Sequence, residues 1–396
     1  MSQLISVNVD DELKIQGCLA IDSTVNGRAY GGVRMAPDIS PDSIVRVARV
    51  MTLKYGFVGL PVGGGKAGIV ADPEMPVDKK REVLKKFGRA LKPMLQNKSY
   101  VPSSDLGTTE EDIRFMLIAN GIEILPRSLT YSLSGFYTGI TVFTAAVRAA
   151  RHVGVDLNRA SVAIEGFGSV GSSAAQAFWE NGTRVVAIST SRGAIYDESG
   201  LDIGELIKLS NQVGSQVVKF FPRGEKLDRS RLAELDVDIF CPCAHSDSIN
   251  MNNAARLAAR IVCPGANAPI APGAEQILFQ RGILSVPDFV ANCGGVLGIS
   301  MKRAGIKEDH IRRFLEQTIG DQATQVIEAA GKDNIIPRVY AERIAEERFS
   351  KAKAAAEKRT IMGKTFNLAL ELYRKGIIPY QLVTPAALWY FGRRFK

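Results

Sequence analysis

Ala163-Ile164-Glu165 runs directly into Gly166-Phe167-Gly168-Ser169-Val170-Gly171, and an alanine-rich stretch (Ala174, Ala175, Ala177) follows at once. An apolar strand, three glycines at fixed spacing and a helix leave the chain few choices. Glycine is needed there where the backbone turns sharply, where a diphosphate meets backbone amides and where helix packs on strand. Gly166, Gly168, Ser169, Val170 and Gly171 are therefore candidate dinucleotide contacts, with a helix N-terminus aimed at the pyrophosphate. Strand signals at 184–188, 237–240, 260–262 and 285–289 alternate with helical ones up to about residue 300. That alternation predicts a parallel, doubly wound sheet.

The second strand of such a unit ends in an acid when the adenosine ribose keeps its 2′-hydroxyl. This one ends Ile188-Ser189-Thr190-Ser191-Arg192. Hydroxyls and a guanidinium suit a 2′-phosphate, so Ser189, Thr190 and Arg192 favour NADP over NAD.

Upstream lies a different kind of unit. Residues 1 to about 130 mix short strands (15–21, 68–70) with helices, one of them over 78–94. Ser40-Pro41-Asp42-Ser43 reads as a helix start, and Ile44, Val47, Ala48 and Met51 mark an apolar face on which Lys54 also falls. A lysine on the apolar side needs an anionic partner. Lys66 ends the run Gly63-Gly64-Gly65, where missing side chains are expected to let a ligand approach the backbone. One lysine could grip a carboxylate while the other does proton chemistry. Thr109 with Asp112 forms a capping box, which leaves Asp105, four residues earlier, free for proton exchange beside such a lysine.

With 396 residues, 46% of them apolar, the chain can bury more than one core. The expected division is α/β with two domains: an N-terminal mixed α/β substrate domain (1–135) and a Rossmann-like doubly wound dinucleotide-binding domain (136–330). The tail from about Lys302 reads as helical and charged; its C-terminal segment (331–396) is expected to pack back toward the first domain, with 339–364 either spanning between the two or packing on the first. A net charge of +9 without aromatic interleaving fits anionic small molecules and gives no reason to expect nucleic acid. No stretch reaches membrane-spanning length and the N-terminus is acidic, so no membrane partner and a cytoplasmic location are expected. Cys18, Cys241, Cys243, Cys263 and Cys293 include no CxxC pair, so reduced thiols and no metal are expected. A P-loop reading of Lys66 fails, since Leu60 stands where glycine is required and Ala67 where serine or threonine is.

Taken in order, Gly31-Gly32-Val33-Arg34-Met35, Met51-Thr52-Leu53-Lys54, Gly63 to Lys66, Asp105, Thr138-Gly139, the glycine turn, Gly265-Ala266-Asn267 and Asn292-Cys293-Gly294-Gly295-Val296 resemble the glutamate, leucine, phenylalanine and valine dehydrogenase superfamily. The resemblance implies NAD(P)-dependent oxidative deamination of an L-amino acid to its 2-oxo acid and ammonia by a homo-oligomer whose first domain also serves assembly. It implies that Lys54 binds the substrate α-carboxylate, that Gly32 also contacts the substrate, that Lys66 activates water and that Asp105 moves protons at the amino nitrogen. Thr138 and Asn267 would line the nicotinamide end, and Asn292 would sit near the substrate.

Two departures bear on the substrate. Glutamate members place a lysine before the first glycine pair and a serine further on, both reading the distal carboxylate; this chain has Tyr30 and Ile299. A pocket lined by Tyr30, Val296 and Ile299 implies an apolar side chain, as in the leucine and phenylalanine branch. Glutamate dehydrogenase remains the alternative, since the Tyr30 hydroxyl could donate one hydrogen bond. A catalytically idle nucleotide sensor is the alternative from outside the enzymes.

Overall fold

Strand β2 (Ile15–Ile21) shows how the N-terminal sheet serves two layers. Leu19 and Ile21 join a core with Val33, Met35, Ala67 and Ile69, while Cys18 and Ala20 pack with Ile44 and Ala48. The computed structural model describes residues 3–10, 14–123, 133–358 and 380–395. They divide into two compact units, Met1–Ser132 with Ile344–Lys396, and Leu133–Arg343.

The first unit holds a five-stranded sheet in the order β1-β2-β4-β3-β5, with β1 (Gln3–Asp10), β3 (Ala29–Ala36), β4 (Gly63–Val70) and β5 (Tyr100–Ser104). β3, β4 and β5 are parallel, while β1 and β2 run antiparallel to their neighbours. Helices α2 (Val77–Ala90) and α4 (Glu110–Ile118) cover one face through Val83, Leu84, Phe87, Ile113 and Met116. The other face takes α1 (Pro41–Phe57), which starts with a Ser40/Ser43 capping box and Pro41 in its first turn.

Three expectations change here. The glycine run, expected to admit a ligand to the backbone, opens β4, and its bareness serves packing. A Cβ on Gly64 would meet the Thr52 amide of α1 at 2.4 Å, and one on Gly63 would meet Ser23 O at 2.3 Å. The helix expected over 78–94 breaks at Leu91, and the short α3 (Lys92–Gln96) follows, because Pro93 has no N–H to continue the ladder. Lys54 does fall with the apolar residues, but residues 50–60 are all buried, so the second half of α1 is enclosed all round. That enclosure comes partly from α14 (Pro337–Glu357): a Cβ on Gly56 would meet Ala345 O at 2.3 Å. Arg348 donates to Phe57 O at 2.8 Å and Arg394 to Gly59 O, so C-terminal cations sit on the carbonyl end of α1. The described residues 344–358 and 380–395 group with the first unit; 359–379 and 396 lie outside the described residues.

The second unit holds a seven-stranded sheet in the order β12-β11-β10-β6-β7-β8-β9. From β12 (Leu284–Ser285) through β11 (Ile261–Val262), β10 (Ile239–Pro242) and β6 (Ser161–Glu165) to β7 (Arg184–Thr190) it is parallel. β8 (Gly193–Tyr196) and β9 (Glu225–Leu227) extend it antiparallel. β6 sits between β7 and β10, which is the switch point where open α/β sheets bind ligands. α5 (Ser134–His152) begins four residues before Thr138 and packs on α6 (Ser169–Glu180), where a Cβ on Gly139 would strike Ser173. The strand expected over 285–289 ends at Ser285. Pro287 cannot donate to a ladder, and Asp288–Ala291 forms a helical turn instead.

Candidate active site

Alternation along β3 and β4 puts Tyr30, Gly32 and Arg34 on the same face as Gly64, Lys66 and Gly68. The register pairs Tyr30 with Gly64 and Arg34 with Gly68, so Gly32 is level with Lys66. This is the α1 face, since a Cβ on Gly68 would meet Ile44 at 2.9 Å.

Asp105 reaches this face from the end of β5. The turn after it is tied to β3: Thr108 Oγ1 donates to Val33 O at 2.7 Å, and Met35 N donates to Leu106 O at 2.9 Å. Gly107 has φ +78°, and a Cβ there would lie 2.0 Å from Met35 O, so only glycine fits. Held this way, the Asp105 carboxylate pairs with Lys66 Nζ and lies 3.5 Å from Arg34 Nε. Its position against Gly32 is close enough that a Cβ on Gly32 would meet Asp105 Cβ at 2.6 Å.

The electrostatics follow from burial and charge count. Lys66 is 2% exposed. Its pKa is lowered, first by desolvation and then by Arg34, against the opposing pull of Asp105. Asp105 is held well below the usual carboxylate range: burial opposes ionisation, but Lys66, Arg34 and the Leu106 amide outweigh it. One carboxylate between two cations favours the ionised state. Arg34 is the residue that sequence reasoning passed over; the available signal was its place two residues after Gly32 on the same strand face.

Lys54 lies in the last turn of α1 and is 6% exposed. Tyr30 is half-buried. A cavity of about 260 Å³ between α1 and α14, lined by Arg49, Leu53, Glu346 and Phe349 among others, contains none of the candidate residues.

The glycine turn of the second unit meets each steric demand of a pyrophosphate site. Gly166 has φ +89°, and a Cβ on Gly171 would lie 1.8 Å from Gly166 O. Around Gly168, by contrast, a Cβ would meet nothing within 4 Å, which is the opening a phosphate needs. Gly168 is also the N-cap of α6 and supplies no side-chain cap, so the first amides of that helix remain for an anion. These residues fit a dinucleotide.

The hydroxyls that end β7 are less available than the sequence implies. Ser189 Oγ accepts from Gly166 N at 3.1 Å, and Thr190 Oγ1 donates to Ser215 O at 2.7 Å while accepting from Arg192 N at 3.1 Å. Ser189 and Thr190 thus shape the turn, and Ser191 and Arg192 are the exposed groups at its edge.

Thr138 is buried in α5, its hydroxyl donating to Ser134 O at 2.8 Å. Asn292 Nδ2 donates to Ala266 O at 2.8 Å and lies 3.3 Å from Asn267 Oδ1, so the structure brings those two asparagines together. In α11 (Gly294–Arg303) Val296 is half-buried and Ile299 buried; the neighbouring Ser300 hydroxyl donates to Val296 O at 2.7 Å. All five cysteines are free thiols, Cys243 only partly buried and the rest buried. Among the described residues no helix is long and apolar enough to cross a membrane.

Both units match known proteins. The sequence profile described as Glu/Leu/Phe/Val dehydrogenase, dimerisation domain, matches residues 2–119, and that of Glutamate/Leucine/Phenylalanine/Valine dehydrogenase matches 135–356. Glutamate dehydrogenase of Thermotoga maritima is 33% identical over 349 residues, covering 83% of each chain. NAD-specific glutamate dehydrogenase of Staphylococcus aureus is 33% identical over 74% of this chain and 73% of its own. In fold, the chain is similar to the hetero-hexameric glutamate dehydrogenase of Thermus thermophilus in its Leu-bound form (TM-score 0.73, 24% identity, 88% of each chain). It is also similar to L-tryptophan dehydrogenase of Nostoc punctiforme (TM-score 0.58, 24% identity, 89% of this chain and 96% of that one). With both units matched in order and their motifs in place, the chain belongs to the glutamate/leucine/phenylalanine/valine dehydrogenase family, the nicotinamide-dependent oxidoreductases that act on the CH–NH2 group of amino acids.

Proposed function

We propose that this enzyme reversibly deaminates an L-amino acid with an apolar side chain, and that it favours NADP. The Lys66–Asp105–Arg34 cluster carries the chemical part of the reading. Lys54 holds the substrate α-carboxylate, a buried ammonium being a strong partner for a carboxylate. Asp105, the carboxylate between Lys66 and Arg34, accepts a proton from the substrate amino group. Lys66, whose ammonium burial and Arg34 disfavour, takes as the neutral amine the proton of the water that adds to the imine carbon; Asp105 then returns its proton to the amino nitrogen, and the C–N bond breaks to release ammonia as the hydroxyl proton passes to Asp105 and the carbonyl forms. A bound nicotinamide would accept the hydride, with Thr138 and Asn267 lining its end of the dinucleotide, while Asn292 is assigned to the substrate.

The cluster makes a signed prediction. Lys66 works as the neutral amine, so kcat/KM rises with pH through its pKa. Arg34 lowers that pKa by like-charge repulsion. Replacing Arg34→Met removes the repulsion, raises the Lys66 pKa and moves the rising limb of the kcat/KM profile to higher pH. A limb that stays in place or moves to lower pH contradicts the assignment.

The apolar preference rests on Tyr30 and Ile299, which stand where glutamate members read a distal carboxylate. A second reading, glutamate itself, draws on the two relatives of 33% identity named glutamate dehydrogenases. Self-assembly is part of the proposal, supported by the match of residues 2–119 to a dimerisation-domain profile.

For the coenzyme, the exposed Arg192 at the end of β7 is the group that would pair with a 2′-phosphate. Arg192→Asp is expected to weaken NADPH binding by about 10- to 100-fold, the worth of one charge-assisted contact. NADH, lacking the phosphate, should change little. Titration with both nucleotides checks this; equal losses would make Arg192 a turn residue.

A further inference from the structure

The turn that carries Asn267 is held by ions from far along the chain. Ala268, the next residue, has φ +49°, a left-handed conformation that alanine rarely adopts. Its amide donates to Asp288 Oδ2 at 2.7 Å, and Asp288 is fully buried. The other oxygen, Oδ1, receives Arg338 Nη2 at 2.8 Å, and Arg338 Nε donates to Glu275 Oε2 at 2.7 Å. The guanidinium also lies over the Phe289 ring, 5.6 Å from its centroid. Arg338 opens α14, and Glu275 comes from the helix Ala274–Gln280.

Burying three charges is costly, and an apolar cluster of equal volume would pack as well. What the ions provide is direction. One arginine with a planar fork can serve two carboxylates at once, and the carboxylate it orients can hold a strained amide. Asp288 is bound at both ends of its own residue: its carboxylate holds Ala268, and its carbonyl accepts from Asn292 N at 2.8 Å. Asn292 in turn reaches Ala266 O and Asn267 Oδ1. The path from Arg338 therefore ends on both asparagines.

We propose that Arg338, with Asp288 and Glu275, is a positioning cluster for the nicotinamide end of the bound dinucleotide, acting through the Asn267–Ala268 turn and Asn292. This rests on the reading that Asn267 faces the nicotinamide. None of the three ions touches the coenzyme in this account; they fix the backbone that does.

The test compares a whole dinucleotide with its adenosine half. Dissociation constants are measured for whichever of NADPH or NADH the wild type binds more tightly, and for the corresponding ADP-ribose, with or without a 2′-phosphate. Arg338→Met is expected to weaken the dinucleotide by about tenfold while leaving the ADP-ribose within about twofold, the loss of one charge-assisted bond's worth of order. Arg338→Lys, which keeps the charge but not the fork, should fall between. Parallel weakening of both ligands, or no change in either, overturns the proposal. If Arg338→Met does not fold, Glu275→Gln carries the same comparison, with a smaller split of the same kind expected and a parallel or absent change again overturning it. Asn267→Ala is measured alongside. A split there without one in the Arg338 or Glu275 variant overturns only the positioning role; no split there overturns the placement of the nicotinamide on which it rests.

Discussion

Lys66→Ala is expected to lower turnover by about 10³-fold, the middle of the range for losing a positioned acid–base group. Dinucleotide affinity should stay near that of the wild type, because the glycine turn and Arg192 belong to the other unit. The asymmetry is the informative part. Removing Lys66 leaves Asp105 with Arg34 at 3.5 Å, so the carboxylate keeps a cationic neighbour and the turn 105–108 keeps its bonds to β3. The variant should therefore fold and bind coenzyme yet lack the amine that takes the proton from water. Steady-state turnover and a coenzyme titration on the same preparation check both halves. Wild-type-like turnover would remove Lys66 from the chemistry, and loss of coenzyme binding along with turnover would mean that the substitution disturbs more than the site.

Features enforced by sterics or by local hydrogen bonds were the legible ones. Gly166, Gly168 and Gly171 were readable because each has a different geometric job within six residues, and the structure shows a left-handed turn, an open side and a close packing contact in that order. The Ser40 and Thr109 caps were readable because capping involves residues three apart. Lys66 and Asp105 could be named because one follows a glycine run and the other precedes a cap that has no use for it.

Long-range demands were not legible. The glycines before Lys66 suggest a ligand approach in one dimension, but Gly64 is bare so that α1 can rest on β4 and Gly63 so that the backbone at Ser23 can pass. Ser189 and Thr190 look like ribose contacts until Ser215 and Gly166 are seen to occupy their hydroxyls. Residues 285–289 read as a strand, yet Pro287 and the carboxylate of Asp288 turn them toward the Asn267–Ala268 turn. Arg338 lies 50 residues from Asp288 in sequence, and no local pattern links them.

The substrate is where sequence departures and relatives' names pull apart, and kcat/KM for leucine, valine, phenylalanine and glutamate decides between them. Several apolar amino acids should show measurable turnover, since a hydrocarbon wall separates them by only about 1 to 3 kcal/mol per methylene. Glutamate should fall below the best of them by roughly 10²-fold or more, because its second carboxylate would be desolvated without the lysine and serine that Tyr30 and Ile299 replace. Glutamate as the best substrate of the four would contradict the account, and would place a carboxylate-reading group where Tyr30 and Ile299 provide no charge.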